Sequence, residues 1–283
     1  MSTAISNIPN YSKSYLLFQV FKYCVYSLLC YNIFLFFQED YLASAQTFTN
    51  GVSLYDIGRA FSATIDTAAW VMLLVLFELE TFILDDDKIK GFTKWALHGV
   101  RSLCYMLIVY SLYGYINKLN LILDISPFVI DDICSLAGSS YTYVFTLDEY
   151  LPIDAANCIA LQNQDLVRIG ETQILSTSER IVEVQRLAWL GVFNSIDWLL
   201  IVAILEIDVY LQLKGKLEGK VRLISKVVKT FLYTFLFAAA IYWGFEGDFL
   251  DFWDAFLWLV AFIFIELNIF EWHAETTQEN AET

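Results

Sequence analysis

Long apolar runs, each about the length of a membrane-crossing helix, alternate with short polar segments along the chain. A helix needs about 20 mainly apolar residues to cross the hydrocarbon core of a bilayer. Six runs meet this length, and they predict transmembrane helices at 15–37, 61–84, 95–116, 187–213, 223–245 and 250–270. The expected fold class is therefore an all-α integral membrane protein.

The six predicted helices divide the chain into five parts. These parts are a tail at 1–14, helices one to three within 15–116, an insertion at 117–186, helices four to six within 187–272 and an acidic tail at 273–283. Inside the insertion, apolar residues of the segment 174–186 recur at helical spacing. This spacing predicts a helix that continues directly into the fourth transmembrane helix.

Composition supports a membrane protein and excludes several other classes. Hydrophobic residues make up 58% of the 283 residues and charged residues only 17%, against about 25% charged residues in a typical soluble domain. A soluble globule cannot bury that much apolar surface, so the lipid bilayer is an expected partner. The formal net charge of −15 has the wrong sign for contact with a phosphate backbone, so nucleic acid is excluded as a partner.

Basic residues set the expected orientation in the membrane. Twelve of the 17 Lys and Arg residues lie towards one side, in and beside the N-terminal tail and the loops at 85–94 and 214–226. Because cytoplasmic loops carry the excess of Lys and Arg, both termini should be cytoplasmic and the insertion 117–186 extracytoplasmic. Cys134 and Cys158 both lie in this insertion. An oxidising compartment permits a disulfide between them, and we expect one.

An internal repeat appears when the chain is shifted by 128 residues. The shift aligns helices two and three with helices four and five, without a gap, as follows: Asp66 with Asn194, Trp70 with Trp198, Glu78 with Glu206, Arg101 with Lys229, and Tyr105 with Tyr233. A third copy is split between the chain ends, with Trp258 in helix six and Lys22 in helix one. The pattern predicts a pseudo-threefold arrangement of helix hairpins. The alternative is that the spaced Trp and Glu residues are ordinary interfacial residues.

The repeat places six charged residues at one depth, roughly 9–12 Å inside the cytoplasmic boundary at 1.5 Å per residue. They are Lys22, Glu78, Arg101, Glu206, Lys229 and Glu266. An unpaired charge at such a depth costs at least about 2.5 kcal/mol, so pairing is expected. Depth and symmetry predict the pairs Glu78–Arg101, Glu206–Lys229 and Glu266–Lys22. The pairs either hold the bundle together, form part of an ion path, or snorkel to the interface.

A second set of acidic and aromatic residues lies near the opposite ends of the predicted helices. Its members are Asp66, Trp70, Asp197, Trp198, Asp254 and Trp258. Carboxylates gathered at one end of a bundle form an acidic vestibule that concentrates cations. The alternative interpretation is that they are helix caps and interfacial tryptophan anchors.

Candidate chemistry is sparse. The only histidines are His98 and His273, and no known catalytic motif or metal-ligand spacing is present. We therefore expect no cofactor and no bound metal, and an enzyme with a carboxylate site is the weakest alternative. The sequence favours a channel-like or transporter-like bundle for a cation or proton. The main alternative is a non-enzymatic scaffold or accessory subunit whose insertion 117–186 docks a protein partner.

Overall fold

The computed structural model describes residues 13–48, 51–80, 84, 90–214 and 216–262. Most of these residues are helical. The helices are α1 (Lys13–Thr47), α2 (Ile57–Ala60), α3 (Ser62–Glu78), α4 (Phe92–Leu123), α5 (Cys158–Leu161), α6 (Arg180–Leu213), α7 (Gly219–Glu246) and α8 (249–262). Residues 1–12 of the predicted tail at 1–14, residues 263–270 of the predicted sixth span, and the predicted tail at 273–283 lie outside the described residues.

Four of the helices are long and apolar enough to cross a membrane. They are Leu16–Thr47, Phe92–Leu123, Arg180–Gln212 and Gly219–Glu246. Each has at least 28 residues, so each is longer than the roughly 20 residues that span the hydrocarbon core. α1 and α4 continue ten and seven residues past their predicted ends at 37 and 116. These helices therefore extend out of an apolar layer towards the segment that joins α4 to α6.

The long helices pack in chain order. α3 contacts α1 and α4, and α6 contacts α4 and α7. α8 packs against α7, where Phe262 lies 6.2 Å from the ring of Tyr233. It also contacts α1, because the side-chain amide of Asn32 donates a hydrogen bond to Asp254 at 2.7 Å. The last described helix thus meets the first, and the helices surround a common core.

The segment between α4 and α6 folds as a small β-sheet, so the expectation of an all-α protein is wrong for this part. The strands are β1 (Ile125–Phe128), β2 (Thr142–Val144), β3 (Tyr150–Pro152), β4 (Leu166–Ile169) and β5 (Ile174–Thr177). Their order in the sheet is β1-β4-β5-β2-β3. Only the β2–β5 pair is parallel, with Thr142 opposite Ile174. We call the segment 124–179 the sheet domain, and the end of the bundle that it covers the sheet side.

The prediction of a helix over 174–186 fails at its start, because 174–177 form the central strand β5 and α6 begins at Arg180. Ile174 packs against the helices while Leu175 packs into the core of the sheet domain. A strand buried on both faces has a continuous apolar run, which periodicity cannot distinguish from a short helical segment. At the start of α6 the Thr177 hydroxyl accepts a hydrogen bond from the Arg180 backbone N–H at 3.1 Å.

The predicted disulfide between Cys134 and Cys158 is confirmed, with Cα atoms 5.0 Å apart. It joins a 3-10 turn (Ile133–Leu136) to α5 within a small core of the sheet domain. A domain with so little core of its own gains stability from a covalent link. A disulfide is also what an extracellular segment is expected to carry.

Candidate functional site

Three tryptophans meet at the centre of the helical bundle. Trp70 of α3, Trp198 of α6 and Trp258 of α8 have ring centroids 5.9, 6.3 and 6.4 Å apart. None of the three is more than 8% exposed. These spacings are those of aromatic rings in direct contact. We call this cluster the tryptophan triangle, and it closes the middle of the bundle.

A cavity of about 70 Å³ lies on the sheet side of the triangle. Trp198 and Trp258 form its floor, while Leu147 from the β2–β3 turn lies among the residues that close it on the sheet side. Its lining includes the hydroxyl side chains of Thr67 and Tyr115. The charged and amide side chains in the lining are Asp66, Lys118, Asp148, Asn194, Asp251 and Asp254. A polar cavity of this volume has room for a few water molecules. We call it the acidic chamber, because four carboxylates and a single cation line it.

Two of the carboxylates are held in place by neighbouring helices. Asp66 accepts a hydrogen bond from the hydroxyl of Ser111 at 2.7 Å, and Asp254 accepts the bond from Asn32 described above. Asp66 also lies close enough to Asp254 for their charges to interact. Each hydrogen bond fixes one carboxylate at the wall of the chamber.

The sheet domain contributes the remaining part of the chamber. The turn between β2 and β3 inserts Leu147 into the core shared with the helices, and Asp148 forms an ion pair with Lys118 of α4. The charged side chains of this pair are only 13% and 14% exposed. Burial raises the pKa of the neighbouring Tyr150 phenol, with a further contribution from the charge of Asp148, so Tyr150 stays neutral.

Acidic residues continue from the chamber towards the turn between α7 and α8. Burial raises the pKa of the Asp248 carboxyl above that of a free aspartate, and the charge of Asp148 adds to this effect. A hydrogen bond with Asp251 lowers it but does not cancel the shift. Asp248 therefore keeps its proton to a higher pH than an exposed aspartate would.

Below the triangle the described core consists mainly of apolar side chains, and we call this part the dry layer. The residues that line this layer come from α1, α4 and α7, and each is at most 6% exposed: Val25, Leu29, Cys104, Ile108, Leu232 and Leu236. All six belong to the same core as the three tryptophans. The chamber is thus separated from the far side of the bundle by aromatic and aliphatic side chains.

Charged residues reappear beyond the dry layer, in three ion pairs. Lys22 is fully buried, and its ammonium lies 2.6 Å from the carboxylate of Glu78. The hydroxyl of Tyr23 donates to the same oxygen at 2.9 Å. Arg101 pairs with Glu80, and Lys229 pairs with Asp208 at 2.7 Å.

The predicted pairs Glu78–Arg101 and Glu206–Lys229 are therefore wrong. The paired residues do lie at matching heights on neighbouring helices, but the direction in which each side chain was expected to point around its helix is wrong. Positions two apart differ by about 200° around a helix axis, so Glu78 faces α1 while Glu80 faces α4. Likewise Glu206 accepts a hydrogen bond from Tyr105 of α4 at 3.1 Å, whereas Asp208 faces α7. Glu266, and with it the predicted Glu266–Lys22 pair, lies outside the described residues.

The sequence located part of this site and missed the rest. Asp66 and Asp254 were predicted as an acidic vestibule and do line the chamber, whereas Asp197 is buried outside its lining. Lys118 was missed because it lies past the predicted end of the third helix at 116. Asp148 was missed because it lies in the turn between β2 and β3. Within the described residues no group of three or more His, Cys, Asp or Glu side chains has the geometry of a metal site.

Replacing Lys22 by Met should lower the free energy of unfolding by about 3–5 kcal/mol, because Glu78 would be left buried without its ammonium partner. SDS-driven unfolding in mixed micelles measures this change. Replacing both residues together, Lys22→Met with Glu78→Leu, should recover most of the loss. Arg101→Met is the matched comparison and should cost less than Lys22→Met, since the Arg101–Glu80 pair is partly exposed and the Lys22–Glu78 pair is buried. Equal losses for Lys22→Met and Arg101→Met would contradict the account.

No protein-family model, no curated protein and no solved structure matches this chain. The geometry of its own residues therefore carries the functional argument. The main features of the site are the acidic chamber, the tryptophan triangle that closes it, and the ion pairs beyond the dry layer.

Proposed function

We propose that the protein is a multi-pass membrane protein that takes up a cation or proton into the acidic chamber from the sheet side. The observation that carries this proposal is a cavity with room for a few water molecules, lined by four carboxylates from three parts of the chain, with one cation among them. Carboxylates in a confined, low-dielectric site raise the local concentration of cations. Ionisable residues inside membrane bundles commonly mark ion or proton paths.

Under this proposal the protein is a carrier with an occluded binding site and not an open channel. The tryptophan triangle and the dry layer separate the chamber from the far side. Passage across the membrane then requires these helices to move apart, as in alternating access. The three ion pairs beyond the dry layer hold neighbouring helices together, since each of their six charged groups has a close partner of opposite charge.

The proposed architecture has six spans built from three helix hairpins. In this arrangement α3, α6 and α8 are equivalent helices that each contribute one tryptophan to the triangle. Equivalent contacts support it. Ser111 donates a hydrogen bond to Asp66, and Asn32 donates one to Asp254. Ser111 follows Arg101 by ten residues, and Asn32 follows Lys22 by the same ten residues. In the same way Arg101–Glu80 corresponds to Lys229–Asp208, at one sequence spacing of 21 residues.

The proposed orientation places the sheet domain outside the cell and both termini in the cytoplasm. Two observations support it. The disulfide lies in the sheet domain, where an oxidising compartment keeps it formed. The excess of Lys and Arg lies at the opposite end of the bundle.

A scaffold or accessory subunit is the second candidate, and the closed centre of the bundle favours it. In that case the sheet domain would dock a protein partner and the chamber would hold only structural water. The two candidates differ in whether a cation stabilises the protein through its chamber carboxylates.

Cation binding should raise the thermal unfolding temperature of the wild-type protein in detergent, by mass action on the folded state. Ammonium chloride, titrated at constant ionic strength, is the probe. The double variant Asp66→Asn with Asp254→Asn should weaken apparent affinity at least about 10-fold, because each lost carboxylate removes a charge-assisted contact. Asp131→Asn, an exposed change in the sheet domain, is the control. If ammonium does not raise the unfolding temperature of the wild type, or raises that of the double variant equally, the cation site is wrong and the scaffold function remains.

Topology is tested by labelling with a membrane-impermeant thiol reagent in intact cells. Single cysteines replace Lys90, Lys216 or Val129, after Cys24, Cys30 and Cys104 have been changed to alanine. Position 129, which is 92% exposed in the sheet domain, should react, and positions 90 and 216 should react only after permeabilisation. Reaction at 90 or 216 in intact cells would reverse the proposed orientation.

A further inference from the structure

Lys118 stands between two cavities. It lines the acidic chamber, and it also lines a second cavity of about 20 Å³ between α1, α2, α4 and β3. The second cavity has room for about one water molecule. Arg59, whose side chain is 31% exposed, lies in its wall, so this cavity lies towards the protein surface. Lys118 therefore occupies the junction between a surface-facing cavity and the chamber.

Several carboxyl groups act on the Lys118 ammonium, and two of them, Asp148 and Asp40, lie at the two ends of this junction. Asp148 forms the ion pair at the chamber. Asp40 lines the second cavity and interacts electrostatically with Lys118. Asp40 is held by the backbone N–H and hydroxyl of Thr64, at 2.9 and 2.7 Å. The lysine can thus turn from Asp148 towards Asp40 and still face a carboxylate.

We propose that Lys118 is a tethered cation that closes the chamber entrance, and that a small ammonium-type cation enters by displacing it from Asp148. The inference rests on the proposed function and adds an entrance, a gate residue and a ligand class. Lysine suits this role because its compact charge sits on a flexible four-carbon chain. The exchange is inexpensive, since Asp148 and Asp40 each keep a cation nearby before and after it.

The ligand class follows from what the chamber already holds. The Lys118 ammonium already pairs with Asp148 at the chamber, so a free ammonium group that displaces it would meet the same acceptor. Trp198 and Trp258 add aromatic surface at the floor, and tryptophan rings attract ammonium ions. A chamber of about 70 Å³ admits ammonium or methylammonium but not a bulky organic cation.

The test is the affinity of the purified protein for methylammonium, measured by thermal shift, with N-methylglucamine chloride keeping the ionic strength constant. Lys118→Met removes the tethered competitor and should tighten apparent affinity at least about 10-fold. Lys220→Met, an exposed lysine in the first turn of α7, should leave affinity unchanged. If Lys118→Met binds methylammonium no more tightly than the wild type, the gate role of Lys118 is wrong.

A second comparison covers the case in which Lys118→Met folds poorly. Lys118→Gln combined with Asp148→Asn removes both charges of the pair and should bind methylammonium more tightly than Asp148→Asn alone. Equal or weaker binding of the double variant would overturn the proposal. The wild type could bind methylammonium in a way that depends on Asp66 and Asp254 but does not change with Lys118. That result would support the chamber as the binding site and reject only the gate role of Lys118. No methylammonium binding by any variant would reject both.

Discussion

Packing of three indole rings at the centre of the bundle is the constraint on which the rest of the structure depends. Trp70, Trp198 and Trp258 come from three different helices and touch within 6.4 Å. Their contact fixes the spacing of those helices, and it separates a polar cavity from a dry apolar layer. Within the described residues the charged groups lie on either side of the apolar layer, because burying an unpaired charge among apolar side chains costs free energy.

Burial of charge explains the arrangement on either side of the triangle. Beyond the dry layer every basic residue described above has an acidic partner on a neighbouring helix, as a low-dielectric interior demands. In the chamber the balance differs, because four carboxylates share one lysine. This imbalance of charge is the feature that distinguishes a candidate cation site from a structural ion pair.

The sequence predicted the long helices, the disulfide, and two of the chamber carboxylates, because apolar length, compartment and residue type are local properties. It did not predict the sheet domain, whose central strand β5 is apolar on both faces and resembles a helical segment. It also paired Glu78 and Glu206 with the wrong basic residues. The height of a side chain is set by its position along one helix, but the neighbour that the side chain faces depends on how the packed helices are rotated about their axes. Asp148 reaches the site from the turn between β2 and β3, and a helical pattern in the sequence cannot predict that position.

The division of the bundle into a hydrated chamber and a dry layer is tested most directly by hydroxyl-radical footprinting of the protein in lipid nanodiscs. Radicals formed from internal water modify side chains beside that water. Cys104 lies in the dry layer, and thiols oxidise readily, so its protection is informative. The account predicts modification of Tyr115 and Trp258 at the chamber, with Cys104 unmodified. Oxidation of Cys104 as rapid as that of Tyr115 would show water along the centre and contradict the account.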